Sequence, residues 1–259
     1  MLRPQTLDFV GVDAIAVKPT EHDLEAIGAA APTAIETVVI DYEGREAFPD
    51  AATLSRLEER FETYVTTPVR ATGFDPLGDD SLLETIPDGA KRALVAGNGA
   101  YLTDEERKRA VTPRLRAAAN TAPGAWIGTE GIERIALAIG GPQFELLSRD
   151  TERAVRALRT AGFDDEIVLY APTVVSGDED VILDAIGGYV ARRKPVRRAL
   201  PDEAATDATA SGRAREVLSA ASRDYGLVGD DETVRQQAAG LREAGVDRIV
   251  AYPADGLDV

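Results

Sequence analysis

The sequence predicts a single (β/α)8 barrel spanning residues 1–259, on three observations. β-branched apolar runs alternate with amphipathic stretches about eight times, at intervals of roughly 25–30 residues, the pattern of parallel strands joined by crossover helices. The chain has 259 residues, the usual length for one such barrel. No Gly-x-Gly-x-x-Gly follows the first apolar run, which weighs against the competing open doubly wound sheet. No shift in composition marks a second domain.

The elements follow in order. Val10–Val17 reads as the first strand, then a helix over Glu21–Ala30 with Thr20 and Asp23 placed close to a capping box. Ile35–Tyr42 is the second strand; its Val38-Val39-Ile40 centre suits a strand buried on both faces. Leu54, Leu57, Phe61 and Tyr64 recur at helical spacing and predict a helix over Ala51–Tyr64. Pro68–Thr72 reads as strand three, Ser81–Thr85 as a short helix and Arg92–Ala96 as strand four, running into Gly97-Asn98-Gly99. Thr103 caps a helix that Pro113 kinks or breaks. Ala125–Gly128 and Ile135–Ile139 read as strands five and six, and Gly140-Gly141-Pro142 as the opening of a helix reaching Thr160. Ile167–Ala171 is the next strand, and Ser176 caps a helix to Arg193. Pro201–Ser211, rich in Ala, Asp and Thr, reads as a mobile loop or a frayed helix, with its neighbour Gly212 a loop over 201–212. A helix over Ala214–Ser222, a link at Gly226–Gly229, a helix from Asp230 to Ala244 closed by Gly245, and a strand at Ile249–Tyr252 complete the chain.

Composition removes several chemistries. There is no cysteine, which excludes thiol nucleophiles, disulfides and Cys-ligated metals, and the one histidine, His22, excludes multi-His metal sites. Forty-five acidic residues face 29 basic ones, for a formal charge of −16. The acids are spread along the whole chain and only Lys18, Lys91, Lys108 and Lys194 are lysines, which reads as adaptation to a salt-rich cytoplasm that screens self-repulsion. No basic stripe suits nucleic acid or an anionic membrane surface. The start carries no apolar leader and no run reaches the ~20 apolar residues of a membrane helix. The expected partner is a small molecule; a homo-oligomer stays open.

In either fold ligands bind beyond the carboxyl ends of the strands. That selects Lys18 and His22 after strand one, Asp41, Tyr42 and Glu43 after strand two, Gly97, Asn98 and Tyr101 after strand four, and Gly140, Gly141 and Gln143 after the expected strand six. Gly140-Gly141 at a strand-to-helix junction would offer backbone N–H groups to a phosphate, and a simple turn with Pro at the first helical position explains the same residues. The one basic cluster is Arg192-Arg193-Lys194 with Arg197-Arg198. It reads either as cations complementing a helix C-terminus or as a site for an anionic cofactor tail.

Three pieces in the C-terminal half occur in a recognisable order: Ile135 to Gln143 with its Gly-Gly-Pro; Ile167 to Val175 followed by Gly177-Asp178-Glu179-Asp180; and Gly229-Asp230-Asp231-Glu232-Thr233-Val234 followed by Leu241 to Val250 with an Ala-Gly-Val-Asp turn. Together they resemble the closing part of the luciferase-like flavin and coenzyme F420-dependent oxidoreductases, a (β/α)8 family. The resemblance implies hydride transfer on a small substrate with F420 or FMN as cofactor. It would place Gly140, Gly141 and Gln143 near the cofactor phosphate, and Asp41, Gly97 and Asn98 at the ring or substrate. No catalytic residue is assigned. The N-terminal half carries no motif that aligns with the family, and relatives often hold several pocket histidines where this chain has one. The alternatives are a non-catalytic barrel binding a small molecule or protein partner, and an aldolase- or isomerase-like barrel using Lys18 or an inward carboxylate as its reactive group.

Overall fold

The computed structural model describes residues 10–29, 35–129 and 133–257. Its strands are β1 (Ala14–Val17), β2 (Thr37–Ile40), β3 (Glu62–Pro68), β4 (Lys91–Val95), β5 (Trp126–Gly128), β6 (Gln143–Leu146), β7 (Ile167–Val175), β8 (Leu227–Gly229) and β9 (Arg248–Pro253). All their pairings are parallel, and eight of them close a ring in the order β1-β2-β3-β4-β5-β6-β7-β9 and back to β1. The short β8 pairs only with the far end of β7, Thr173–Val175. The helices are α1 (Leu24–Ala29), α2 (Ala51–Glu58), α3 (Asp104–Lys108), α4 (Val111–Thr121), α5 (Glu133–Ile139), α6 (Thr151–Thr160), α7 (Glu179–Ala191), α8 (Lys194–Ala199), α9 (Gly212–Tyr225) and α10 (Asp231–Ala244). The chain is the (β/α)8 barrel its sequence predicts.

Period-two alternation sets the two sides of the wall. Ala14, Ala16, Ala93, Val168 and Val250 point inward with Tyr64, Trp126, Phe144 and Tyr170. Small residues on β1 and β4 leave room for the large ones elsewhere, so the interior fills without a pore. The aromatics form a continuous series: Tyr64 and Trp126 stack at 3.5 Å between centroids, Trp126 and Phe144 at 5.7 Å, and Phe144 meets Tyr170 edge-on at 6.0 Å. Outward residues such as Ile15, Val38, Leu169 and Ile249 pack under Leu24 and Ile27 of α1, Leu54 and Leu57 of α2, Val155 of α6 and Val234 and Leu241 of α10. At the amino ends of the strands the interior is closed by charge. Arg248 donates to Glu62 at 2.5 Å, Glu166 at 3.0 Å and Thr37 at 3.1 Å, and the Trp126 indole N–H donates to Glu166 at 3.2 Å.

Two stretches depart most from the sequence reading, and the expected link at Gly226–Gly229 carries the short strand β8. Ile135–Ile139 lies in α5 and is a helix; Ala136 is buried against Leu115, Ala118 and Ile127, with Ile135 and Ile139 at the edge of the same cluster. A five-residue apolar run fits a buried strand and one face of a short helix equally well. Gly140 and Gly141, with φ of +90° and +84°, therefore end a helix and turn into β6, where the sequence reading has them open one. The second departure is β3, which runs Glu62–Pro68 where the sequence reading has a helix to Tyr64 and a strand at Pro68–Thr72; 69–72 form a turn beyond it. α2 ends at Glu58, because the run Thr63-Tyr64-Val65-Thr66-Thr67, of β-branched and aromatic strand formers, pairs along its length with β2 and β4.

The segment from α7 to α9 builds its own apolar layer from Ile182, Leu183, Ile186, Val190, Val196, Leu218 and Tyr225. Residues 201–211 lie against α7: the Ala208 N–H donates to Asp184 at 2.8 Å, and Gly187 packs directly under the Thr206 carbonyl.

Candidate functional site

A cavity of about 360 Å³ opens at the carboxyl ends of the strands, the end where barrel ligands bind. Lys18 enters from β1, Asp41, Tyr42 and Glu43 from beyond β2, Thr66 and Pro68 from β3, and Val95, Gly97, Asn98 and Tyr101 from β4 and its loop. Gly128 closes β5, while Phe144, Leu146 and Tyr170 form the floor and far wall. Tyr189, Arg192 and Arg193 line the same cavity from the C-terminal end of α7. A helix leaving β7 normally runs back along the barrel; this one carries its C-terminal end to the mouth.

Three phenol–carboxylate pairs stand on the rim. Tyr170 donates to Asp41 at 2.7 Å, Tyr101 donates to Glu43 at 3.1 Å, and Tyr252 donates to Glu21. Burial and the neighbouring carboxylates push all three phenols upward, Tyr101 to about 12 and Tyr170 well above its ordinary value. At neutral pH the phenols are protonated donors. Burial raises Glu21, but hydrogen bonds from Tyr252 and Lys18 outweigh it and leave its pKa below the usual value. Lys18 Nζ lies 2.9 Å from Glu21 and donates to the Tyr252 hydroxyl at 2.8 Å, so the amine that would serve an aldolase-like reaction is committed to an ion pair.

Local sequence explains these positions. Lys18 is the first residue past β1, and the Asp41 N–H donates to the Val17 carbonyl, which pins the ends of β1 and β2 together. The Tyr42 N–H donates to Thr66 Oγ1 at 2.7 Å, which orients the loop after β2 over β3. Gly97, at φ +99°, turns the chain beyond β4, and the Asn98 side chain accepts from the Ala100 N–H at 2.8 Å to set the following turn. His22 Nδ1 accepts from the Lys18 N–H at 3.2 Å, while its Nε2 is buried without a partner.

Of the six residues singled out for the cofactor, the structure gathers Asp41, Gly97 and Asn98 at this cavity. Gly140 and Gly141 line a smaller cavity of about 210 Å³ beside Arg116 and Asn120, and Gln143 follows them at the amino end of β6, at the opposite end of the barrel. The helix N-terminus that would have drawn a phosphate to them is absent there; what they follow is the C-terminus of α5. Sequence reasoning left out Tyr170, Thr66 and Tyr189. Tyr170 was detectable, because it shares the inward parity of Val168 along β7.

The model of one protein family matches residues 7–259, nearly the whole chain. The protein belongs to the family of unknown function DUF7388. None of the curated proteins matches this DUF7388 member. Among solved structures it resembles an F420-dependent secondary alcohol dehydrogenase in complex with an F420–acetone adduct, with a TM-score of 0.60 and 12% identity over 93% of this chain and 92% of that one. At that identity the likeness is one of fold. Among the described residues no helix is long and apolar enough to cross a membrane, and no cluster of acidic or histidine side chains is arranged to hold a metal ion.

Proposed function

We propose that this DUF7388 protein is an oxidoreductase that binds F420 or a flavin at the carboxyl-end cavity and transfers hydride to or from a small substrate. The observation that carries the reading is the cavity itself: it lies at the functional end of a barrel resembling an F420-dependent dehydrogenase. Its floor and walls of Phe144, Leu146, Val95 and Pro68 suit a flat ring, and about 360 Å³ falls within the range of small-molecule sites. Arg192 and Arg193 at the rim suit the anionic part of either cofactor. Gly97 and Asn98 would meet the ring or the substrate with backbone and amide groups. Gly140, Gly141 and Gln143 stand too far down the barrel to share this ligand.

When bound, the cofactor supplies the hydride acceptor or donor. The chain's own residues would manage the accompanying proton. Asp41 is the carboxylate placed to take it from a substrate hydroxyl, and Tyr170, held protonated by burial, would fix that carboxylate by its 2.7 Å hydrogen bond. The aromatic series beneath excludes water from below. The site is built for a small molecule, in a protein whose charge suits a salt-rich cytoplasm.

The test is titration of the purified protein with F420 and with FMN separately, in multimolar KCl, following cofactor fluorescence and thermal stabilisation. Micromolar binding of one, weakened in Phe144→Ala, is expected, with stabilisation by mass action. A folded protein that responds to neither refutes the assignment.

A further inference from the structure

We infer that the β1–β2 side of the cavity mouth binds an organic ammonium group, so that the substrate is a small cationic alcohol, a step that rests on the cavity being the substrate site of the proposed oxidoreductase. Asp41 and Glu43 both line the cavity from the loop after β2. Glu43 accepts from the Thr20 N–H at 3.1 Å, from the Thr20 hydroxyl, and from the Tyr101 hydroxyl at 3.1 Å. All three donors are neutral, and among the described residues no lysine or arginine pairs with Glu43 within 4 Å. Lys18, which lines the same side, is neutralised by Glu21 at 2.9 Å. The wall after β2 therefore presents negative charge to whatever enters.

The chain's own lysine occupies a site of the same make. Lys18 Nζ lies 4.1 Å from the centre of the Tyr252 ring and donates to the Tyr252 hydroxyl at 2.8 Å, and both Lys18 and Tyr252 donate to Glu21. An ammonium is thus held between a carboxylate and the phenol bonded to it, with the negative face of the ring towards the cation. Tyr101 and Glu43 repeat that pair in the cavity wall, and among the described residues no cation lies over the Tyr101 ring. Tyr42, Phe144 and Tyr170 add further aromatic surface. Burial and the charges of Glu43, Glu21 and Asp41 push the Tyr101 phenol up to about 12, so its hydroxyl stays a donor to Glu43, and three carboxylates bear on one ring. Arg192 and Arg193 line the cavity from the α7 end, which directs a cationic group to the opposite side. A hydroxyl on the same small molecule would meet Asp41, the carboxylate of the proposed proton transfer.

The experiment titrates the full-length protein with choline and, separately, with neohexyl alcohol, the uncharged isostere that has carbon in place of the ammonium nitrogen. It is run at the lowest KCl concentration that keeps the protein folded, and binding is read by saturation-transfer NMR and thermal stabilisation. Wild type should bind choline in the millimolar range and about tenfold more tightly than neohexyl alcohol. Glu43→Gln should remove most of that preference by weakening choline alone. Tyr101→Leu should do the same, while Tyr101→Phe, which keeps the ring face, should stay close to wild type. Glu243→Gln, at an exposed position of α10, changes the net charge equally and should leave the preference intact. Equal binding of the two probes by wild type, no binding of choline, or a Glu43→Gln protein that keeps the preference overturns the inference. Should Glu43→Gln not fold, Tyr101→Leu against Tyr101→Phe carries the same comparison. A protein that prefers choline but binds neither F420 nor FMN refutes only the oxidoreductase reading, and one that binds a cofactor without the preference refutes only the ammonium site.

Discussion

Gly128→Ala tests the weakest seam of the barrel. β5 has three residues and meets β6 through a single register pair, Ile127 with Gln143, supported by the Ile127 N–H donating to the Pro142 carbonyl at 2.9 Å. A Cβ at Gly128 would stand 2.3 Å from the Phe144 carbonyl oxygen and 3.3 Å from the Phe144 Cβ. The obstacle is backbone, so a rotamer change cannot relieve it and the two strands must separate. Overpacking costs about 1–3 kcal/mol, and a backbone clash on a one-pair seam belongs at the upper end, near ~3 kcal/mol. At roughly 2–4 °C per kcal/mol for a chain of this size, Tm should fall by about 6–12 °C. The sole tryptophan, Trp126, lies two residues away, buried between Tyr64 and Phe144, so urea unfolding followed by its fluorescence reads the seam directly. Gly177→Ala is the control, since nothing lies within 4 Å of a Cβ there, and its effect should stay within about 0.5 kcal/mol. A Gly128→Ala protein as stable as that control would refute the close backbone contact between β5 and β6.

Three further outcomes are expected. Glu62, raised by burial but pulled down by hydrogen bonds from Lys91 and Arg248, and Glu106, raised by burial but pulled down by the N–H groups of Thr72 and Thr103, both sit at about 2 against an unfolded value near 4.5. Their stabilisation is complete above about pH 5 and is lost as pH falls from 4.5 towards 2, by about 1–2 kcal/mol each after screening. Glu106→Gln should therefore lower stability at pH 7 and flatten the acid loss; an unchanged acid profile refutes this. Stability at pH 7 should rise between 0.1 and 3 M KCl as the Debye length shrinks from about 10 Å to below 3 Å, and a melting temperature independent of KCl would remove the reading of the −16 charge as adaptation to salt. Gly187→Ala places a Cβ 2.2 Å from the Thr206 carbonyl and should expose residues 201–211 to protease; an unaltered digestion rate would show that the segment does not rest on α7.

The barrel was legible in the sequence because its evidence is periodic. Inward–outward parity at Ala14-Ile15-Ala16-Val17 and Val168-Leu169-Tyr170-Ala171, and the Asp230 and Gly245 caps around α10, are local signals that tertiary packing left in place. The middle was not legible for the same reason. Ile135–Ile139 is too short for its period to distinguish strand from helix, and β6, Gln-Phe-Glu-Leu, offers only one inward aromatic. Exchanging those two elements moved Gly140, Gly141 and Gln143 to the far end of the barrel. Asp41, Gly97 and Asn98 reached the cavity because β2 and β4 end within a residue or two of where their sequences place them. The phenol–carboxylate pairs could not be read from spacing, since Tyr170 and Asp41 are 129 residues apart.

The length of β7 links the fold to the character of its site. β6 last pairs with β7 at Tyr170, yet β7 continues to Val175, and only β8 covers that far edge. α7 therefore begins well above the rim and cannot pack down the barrel wall as α6 and α10 do. It lies with α8 and α9 as a separate layer, and its C-terminal end arrives over the cavity. The mouth is thus polarised. Glu21, Asp41 and Glu43, each bonded to a tyrosine, stand on the β1 and β2 side, and Arg192 with Arg193 stands on the α7 side. Ionic strength high enough to screen a surface charge of −16 also weakens any single exposed ion pair. Shortening β7 would lower α7 and remove the basic side of the mouth while leaving the acidic side intact, so the barrel could persist with its ligand preference reversed.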